Sequence, residues 1–180
     1  MDKDDEVVRS AARAERRPRD MVISLLVLLV PIALFLVLYR TVLGGDNPVT
    51  VDTSPAIQAA QAAKAFPVAV PAGLDGRWKT VSATFGDVTG GKALRLGYVS
   101  PDGDGVQLTE TNAPTDSFLP AELTAAAHPE GIVPLDGMTW QRYTTRPGER
   151  ALVLLEPTRT TIVVGKASED ELRQLAAAVP

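Results

Sequence analysis

Apolar and polar residues follow three regimes along this chain. The first is a run from Met21 to Tyr39, MVISLLVLLVPIALFLVLY, which contains no charge and in which fourteen of nineteen residues are Leu, Ile, Val or Phe. A helix rises about 1.5 Å per residue, so this stretch reaches about 28 Å, and residues up to Leu43 carry it past a hydrocarbon core of roughly 30 Å. Each large apolar residue favours insertion by about 0.3 to 0.6 kcal/mol, which together outweighs Pro31, Ser24 and an interfacial Tyr39. A transmembrane helix over residues 21–43 is predicted, with Pro31 bending it because the carbonyl of Val27 loses its amide partner. No GxxxG and no ionisable group occurs inside the run, so it predicts neither a transport path nor a strong dimer seam.

Three other readings fit the run less well. A cleaved signal peptide has an apolar region of about 7 to 15 residues and a small-residue cleavage site; here the run is longer and exits through Arg40-Thr41-Val42-Leu43-Gly44-Gly45. A lipoprotein anchor needs a cysteine, and the chain has none. A helix buried in a soluble core carries polar residues on one side, which this run lacks.

The second regime, residues 44–65, is polar and then alanine-rich. Gly44 to Thr53 has the Gly, Pro, Asn and Asp content of a stalk. Ser54 to Ala65 reads as a short helix with Ser54 as cap and Pro55 at its first position, either packed lightly on the folded domain or standing as a spacer.

The third regime, residues 66–180, has a period of two. Trp78 to Phe85, Leu94 to Val99 and Val106 to Thr111 alternate as half-buried strands, and Ser117 to Ala127 follows as a helix burying Phe118, Leu119 and Leu123, ended by His128 to Gly131. The order then recurs: strands at Trp140 to Thr145, Ala151 to Leu155 and Thr160 to Val164, then a helix opened by a Ser168/Glu171 capping box with Leu172, Leu175 and Val179 on one face. The prediction is an α+β domain: one antiparallel sheet of about six strands with two helices on a face, in an order that fits a duplicated βββα unit, and with the last two strands central.

Charge sets the expected topology. Lys3, Arg9, Arg13, Arg16, Arg17 and Arg19 precede the span, whereas Arg40 alone follows before Lys64. Six cations against one place residues 1–20 in the cytoplasm as a basic tail and the C-terminal domain outside, with the lipid bilayer as partner of residues 21–43. From Asp46 onward 16 Asp and Glu outnumber 11 Lys and Arg, which argues against nucleic acid as a partner. Without cysteine the domain is held by packing rather than disulfides, and thiolate chemistry is excluded.

Catalytic signatures are lacking. His128 sits at an expected helix end, where a dipole partner is the ordinary role. Asp102-Gly103-Asp104-Gly105 departs from a calcium loop at Val106 and reads as a turn. No catalytic, cofactor-binding or metal-binding residue is assigned, and the expected role is non-catalytic. The one candidate surface is Trp140, Arg142 and Arg146, placed on one face by strand alternation and joined across a turn by Arg150. Guanidinium groups beside an indole suit carboxylates or phosphates of an envelope protein or polymer. The competing assignment puts Trp140 in the core and leaves a solvated strand face. A second functional class is a tethered carrier for an apolar ligand or lipid, which requires a pocket lined by Phe85, Leu96, Leu119 and Leu172.

The basic tail, single span and Ala-rich connector, followed by FPVAVPAGLDGRWKTVS, LRLGYVSPDGDGVQLTE, MTWQRYTTR and ALVLLE, resemble the family called domain of unknown function 4245. The resemblance runs from the span to the C-terminus. It implies a single-pass plasma-membrane protein of high-GC Gram-positive bacteria, with which a usage of 13 Arg to 5 Lys agrees. It implies no activity and no site residues.

Overall fold

The computed structural model describes residues 18–42 and 50–180. They fall into two compact units, divided between Asn47 and Pro48. Lys3, Arg9, Arg13, Arg16 and Arg17 of the basic tail lie outside the described residues, as do Leu43 at the end of the expected span and residues 44–49 of the expected stalk.

The first unit contributes α1 (Pro18–Val42), one helix of 25 residues that continues through Pro31. Its segment Met21–Tyr39 has a mean hydropathy of 3.1 and buries none of its surface in the protein, so it is long and apolar enough to cross a membrane. Phe35 and Tyr39, one turn apart, stack with ring centroids 6.4 Å from each other.

The second unit is α+β. Its elements are α2 (Ser54–Ala63), β1 (Lys79–Val88), β2 (Gly91–Val99), β3 (Gly105–Thr111), α3 (Thr115–Glu122), β4 (Pro129–Leu135), β5 (Met138–Tyr143), β6 (Arg150–Leu155), β7 (Thr160–Gly165) and α4 (Glu169–Ala177). The strands form one antiparallel sheet in the order β1-β2-β3-β7-β6-β5-β4. As expected from their unbroken apolar runs, β7 and β6 are interior; every residue of β7 is buried.

Alternation sends side chains to two cores. Leu94, Leu96, Leu108, Leu152, Leu154 and Val163 pack on one face with α4, through Leu172 and Leu175, and with Ala60 of α2. Ala93, Ala151, Val153, Ile162 and Val164 pack on the other with Phe118 and Leu119 of α3. Thus α2 is part of the packed unit rather than a free spacer. Residue Val51 before it already donates its amide to the Thr80 carbonyl of edge strand β1 at 2.8 Å.

Three expectations are corrected. The sheet has seven strands, because β4 occupies the place where His128 to Gly131 was expected only to end a helix. Helix α3 stops at Glu122 with Leu123 as its C-cap, and Thr124 to Ala127 form a turn instead, closed by the Ala127 amide on the Thr124 carbonyl at 2.9 Å. His128 consequently lies outside any helix, with Nδ1 3.0 Å from the Ala126 carbonyl. Finally, α3 and α4 lie on opposite faces of the sheet, not on one. Antiparallel neighbours such as β3 and β7 are related by an axis perpendicular to the sheet, which keeps equivalent helices on one face; these helices do not obey it, and the βββα duplication does not describe the whole unit.

The start of α2 differs from the expectation: Thr53 rather than Ser54 is the N-cap and makes no side-chain cap bond, while Ser54 is the first helical residue and donates its amide to Asp52 Oδ1 at 2.9 Å. The ends of α4 and of the β2–β3 hairpin match the sequence. Ser168 Oγ accepts from the Glu171 amide and the Glu171 carboxylate accepts from the Ser168 amide, closing the capping box of α4. Glu171 also accepts from the Asp102 amide at 3.1 Å, tying the β2–β3 loop to α4. That loop is a turn, with the Ser100 amide on the Asp104 carbonyl at 2.8 Å and Gly103 at φ 94°.

Candidate functional site

The end of β5 and the start of β6 form the neighbourhood of the candidate residues. Trp140 and Arg142 project from the same face of β5, but they reach different environments. Trp140 points into the α4-side core and is 0 % exposed. Being wholly buried, it cannot belong to a surface, and its place in the candidate surface is corrected to the core. Burial of an indole removes a large apolar area from water, which settles the competition between the two assignments.

Arg142, one step nearer the strand end, emerges beside the first turn of α4 and pairs with Glu169. The chain then turns at Pro147-Gly148, with Gly148 at φ 80°. Arg146 Nη1 lies 3.5 Å from Glu149, and its Nη2 donates to the Glu122 carbonyl at 3.2 Å. Arg150 Nη1 donates to the Ala167 carbonyl at 3.3 Å. The three guanidinium groups line one open groove of about 490 Å³, together with Glu130, Glu149 and Glu169. Sequence alternation therefore gathers the arginines correctly, but the structure adds an equal number of carboxylates. The groove is charge-rich and near neutral rather than a cationic patch.

A second open groove of about 520 Å³ shares Arg146 and Glu149 with the first and continues over the sheet beside α3. Its floor contains Gly97, Gly105 and Gly165. A side chain at Gly165 would come within 2.3 Å of the Gly105 carbonyl, so close strand packing, rather than a ligand, requires that glycine. One wall is Glu122, which accepts from Arg95 Nε and Nη2 at 2.9 Å each, from Gln107 at 2.8 Å and from Thr109 at 3.0 Å. Burial pushes the Glu122 carboxyl up, but Arg95 and these hydrogen bonds outweigh it and hold the group below the usual carboxylate range. Glu122 is a fixed anion, with three of these bonds on Oε1 and one on Oε2, and it serves structure.

The residues required for a carrier pocket do not converge. Phe85, Leu96 and Leu172 belong to the core on the α4 side, whereas Leu119 packs on the opposite side of the sheet. One cavity cannot be lined by all four. Among the described residues no group of three or more His, Cys, Asp or Glu is arranged to hold a metal ion.

Sequence reasoning missed the most deeply buried charges, Glu110 and Arg159, which are 1 % and 6 % exposed. A signal for the first was present: Val106, Leu108 and Glu110 share a face of β3, so alternation puts a carboxylate at a core position. Arg159 lies in a turn and carried no such signal.

Comparison with protein families matches residues 13–179 to one whose description is protein of unknown function (DUF4245). No curated protein and no solved structure matches the chain.

Proposed function

The chain belongs to the DUF4245 family of proteins of unknown function, and from that premise, which assigns no activity, we propose that it is a non-catalytic, membrane-anchored binding or accessory protein of the cell envelope. In this reading α1 spans the plasma membrane once, the arginine-rich tail is cytoplasmic and the α+β unit is outside. The six cations before the span against one after it support the orientation. The absence of cysteine gives a direct test. Single cysteines replacing Thr89 and Ser10 are expected to behave oppositely in wall-stripped cells: the first reacts with a membrane-impermeant maleimide and the second only after lysis. The reverse pattern overturns the orientation.

The observation that carries the binding role is the groove of Arg142, Arg146 and Arg150. Each guanidinium has more donors than its present contacts use, and the carboxylates paired with Arg142 and Arg146 are partly solvent-accessible. Exposed ion pairs of this kind contribute about 0 to 1 kcal/mol, so a partner's carboxylate or phosphate displaces Glu149 or Glu169 at little cost. The partner is an acidic envelope protein or polymer. With a photocrosslinking residue at Pro147 on the groove rim, Arg142→Ala, Arg146→Ala and Arg150→Ala combined are expected to reduce crosslinked product in cells at least about tenfold, since each lost charge-assisted bond is worth about 1.5 to 3 kcal/mol. Undiminished crosslinking to the same neighbours overturns the assignment.

A further inference from the structure

Between α2 and β1 the chain runs back along the sheet as a strap, Phe66-Pro67-Val68-Ala69-Val70, with Phe66 and Ala69 buried. Two buried charges fasten it. The Ala69 amide donates to Glu110 Oε1 and Oε2 at 3.1 and 3.2 Å. Arg159 Nη1 donates to the Pro67 carbonyl at 3.2 Å and to Glu110 Oε1 at 2.9 Å, while its Nε donates to Glu156 at 2.7 Å.

The charges in this cluster do not balance. Two carboxylates, Glu110 and Glu156, share one guanidinium, so full ionisation leaves one negative charge in excess around a site largely removed from water. The hydrogen bonds show where a proton would complete the site. Oε1 already accepts from Arg159 and from the Ala69 amide, whereas Oε2 has only the longer contact to that amide. Directly across from Glu110 on β7 stands Thr161, whose buried Oγ1 has no hydrogen-bond partner. The ionised carboxylate therefore draws no hydrogen bond from that side.

We propose that the cluster of Glu110, Arg159 and Glu156 is a binding site for one proton, carried on Glu110 Oε2, and that this proton fastens the Phe66–Val70 strap to the sheet. Proton uptake leaves Arg159 balanced by Glu156 and keeps both contacts at Oε1. Proton loss restores the excess charge and loosens the strap.

The groups facing Glu110 agree. The strap itself carries no ionisable side chain, and Lys64 at the end of α2 is exposed. On α4, Glu169 is committed to Arg142, and Glu171 to Ser168 and Asp102. On β2, burial and the nearby Glu110 push the Tyr98 hydroxyl up to about 12, so it stays neutral. Burial pushes the Glu110 carboxyl from 4.5 up to about 7, against the opposing pull of the Ala69 amide and Arg159. Opening the strap returns the carboxyl to water. The closed form therefore holds the extra proton between about 4.5 and 7; its stabilisation is complete at the acid end and lost as the pH rises through 7.

The test is amide hydrogen exchange on the full chain in detergent micelles from pH 5.5 to 8.5, corrected for intrinsic rates. Protection at Ala69 is expected to fall at least about tenfold across this range, equivalent to more than one pKa unit of linkage, while β6 and β7 hold theirs. Glu110→Gln keeps a neutral donor and acceptor in place and is expected to abolish the pH dependence. A flat wild-type profile overturns the proposal without any variant, as does a Glu110→Gln profile like that of wild type. These outcomes are independent of what the arginine groove binds.

Discussion

Replacing Arg159 by methionine is expected to destabilise the folded unit by about 3 kcal/mol at pH 8, because removing one partner of a buried ion pair leaves uncompensated charge rather than merely losing an attraction. Here the change strands two carboxylates, Glu110 and Glu156, and also leaves the Pro67 carbonyl without its donor. The methionine stem fills much of the arginine's volume, so the deficit is electrostatic more than steric. It is therefore smaller at pH 5.5, where Glu110 takes up a proton and only Glu156, itself partly exposed, stays charged. Urea unfolding of the full chain in detergent, followed by the emission of buried Trp78 and Trp140, measures both values. Adding Glu110→Gln should recover part of the loss, because the two positions share one network. Equal losses at both pH values in the single variant would contradict this account of the cluster.

Trp140→Ala is expected to cost about 3 to 5 kcal/mol, the range for truncating a buried aromatic side chain. The indole lies opposite Val133 of β4 in the same core as Leu154, so its removal leaves a cavity beneath the outermost hairpin. Neighbouring strands pinned by β7 cannot collapse to fill it. Arg142→Ala, two residues along the same face, is expected to change stability by less than about 0.5 kcal/mol, since its pair with Glu169 is exposed. Thermal unfolding followed by circular dichroism distinguishes them. Similar losses at the two positions would contradict the inward placement of one and the outward placement of the other.

This contrast shows what the sequence could and could not convey. Period-two alternation correctly assigned Trp140 and Arg142 to one face, but a face of a strand near a sheet corner is core at one residue and solvent at the next. Only the position of α4 fixes that boundary. The capping box at Ser168 and Glu171, the interior character of β6 and β7 and the single apolar helix were legible because each is a local pattern with a local cause. Strand β4 was not, since PEGIVPL carries two prolines and a glycine and buries only Val133. A signal did exist next to it: Asp136-Gly137, with φ 46° and 81°, makes the two-residue hairpin turn that this dipeptide favours. The side of the sheet taken by α3 was illegible, because its short apolar stripe fits either face. The carboxylates that temper the arginine groove arrive from β4, the β5–β6 turn and α4, and such convergence is a tertiary fact.

The strand order has a consequence for assembly. The last strand in the chain occupies the middle of the sheet, so β1–β3 and β4–β6 are two half-built ribbons that are hydrogen-bonded into one sheet through residues 160–165. Joining β3 to β7 closes a loop of about fifty residues, a pairing whose entropy must be met before it is rewarded. Until then β3 and β6 each present a raw hydrogen-bonding margin flanked by apolar side chains, the kind of edge on which chains stick to one another. A chaperone acting on this protein would find its task in shielding those two margins until the keystone strand is seated.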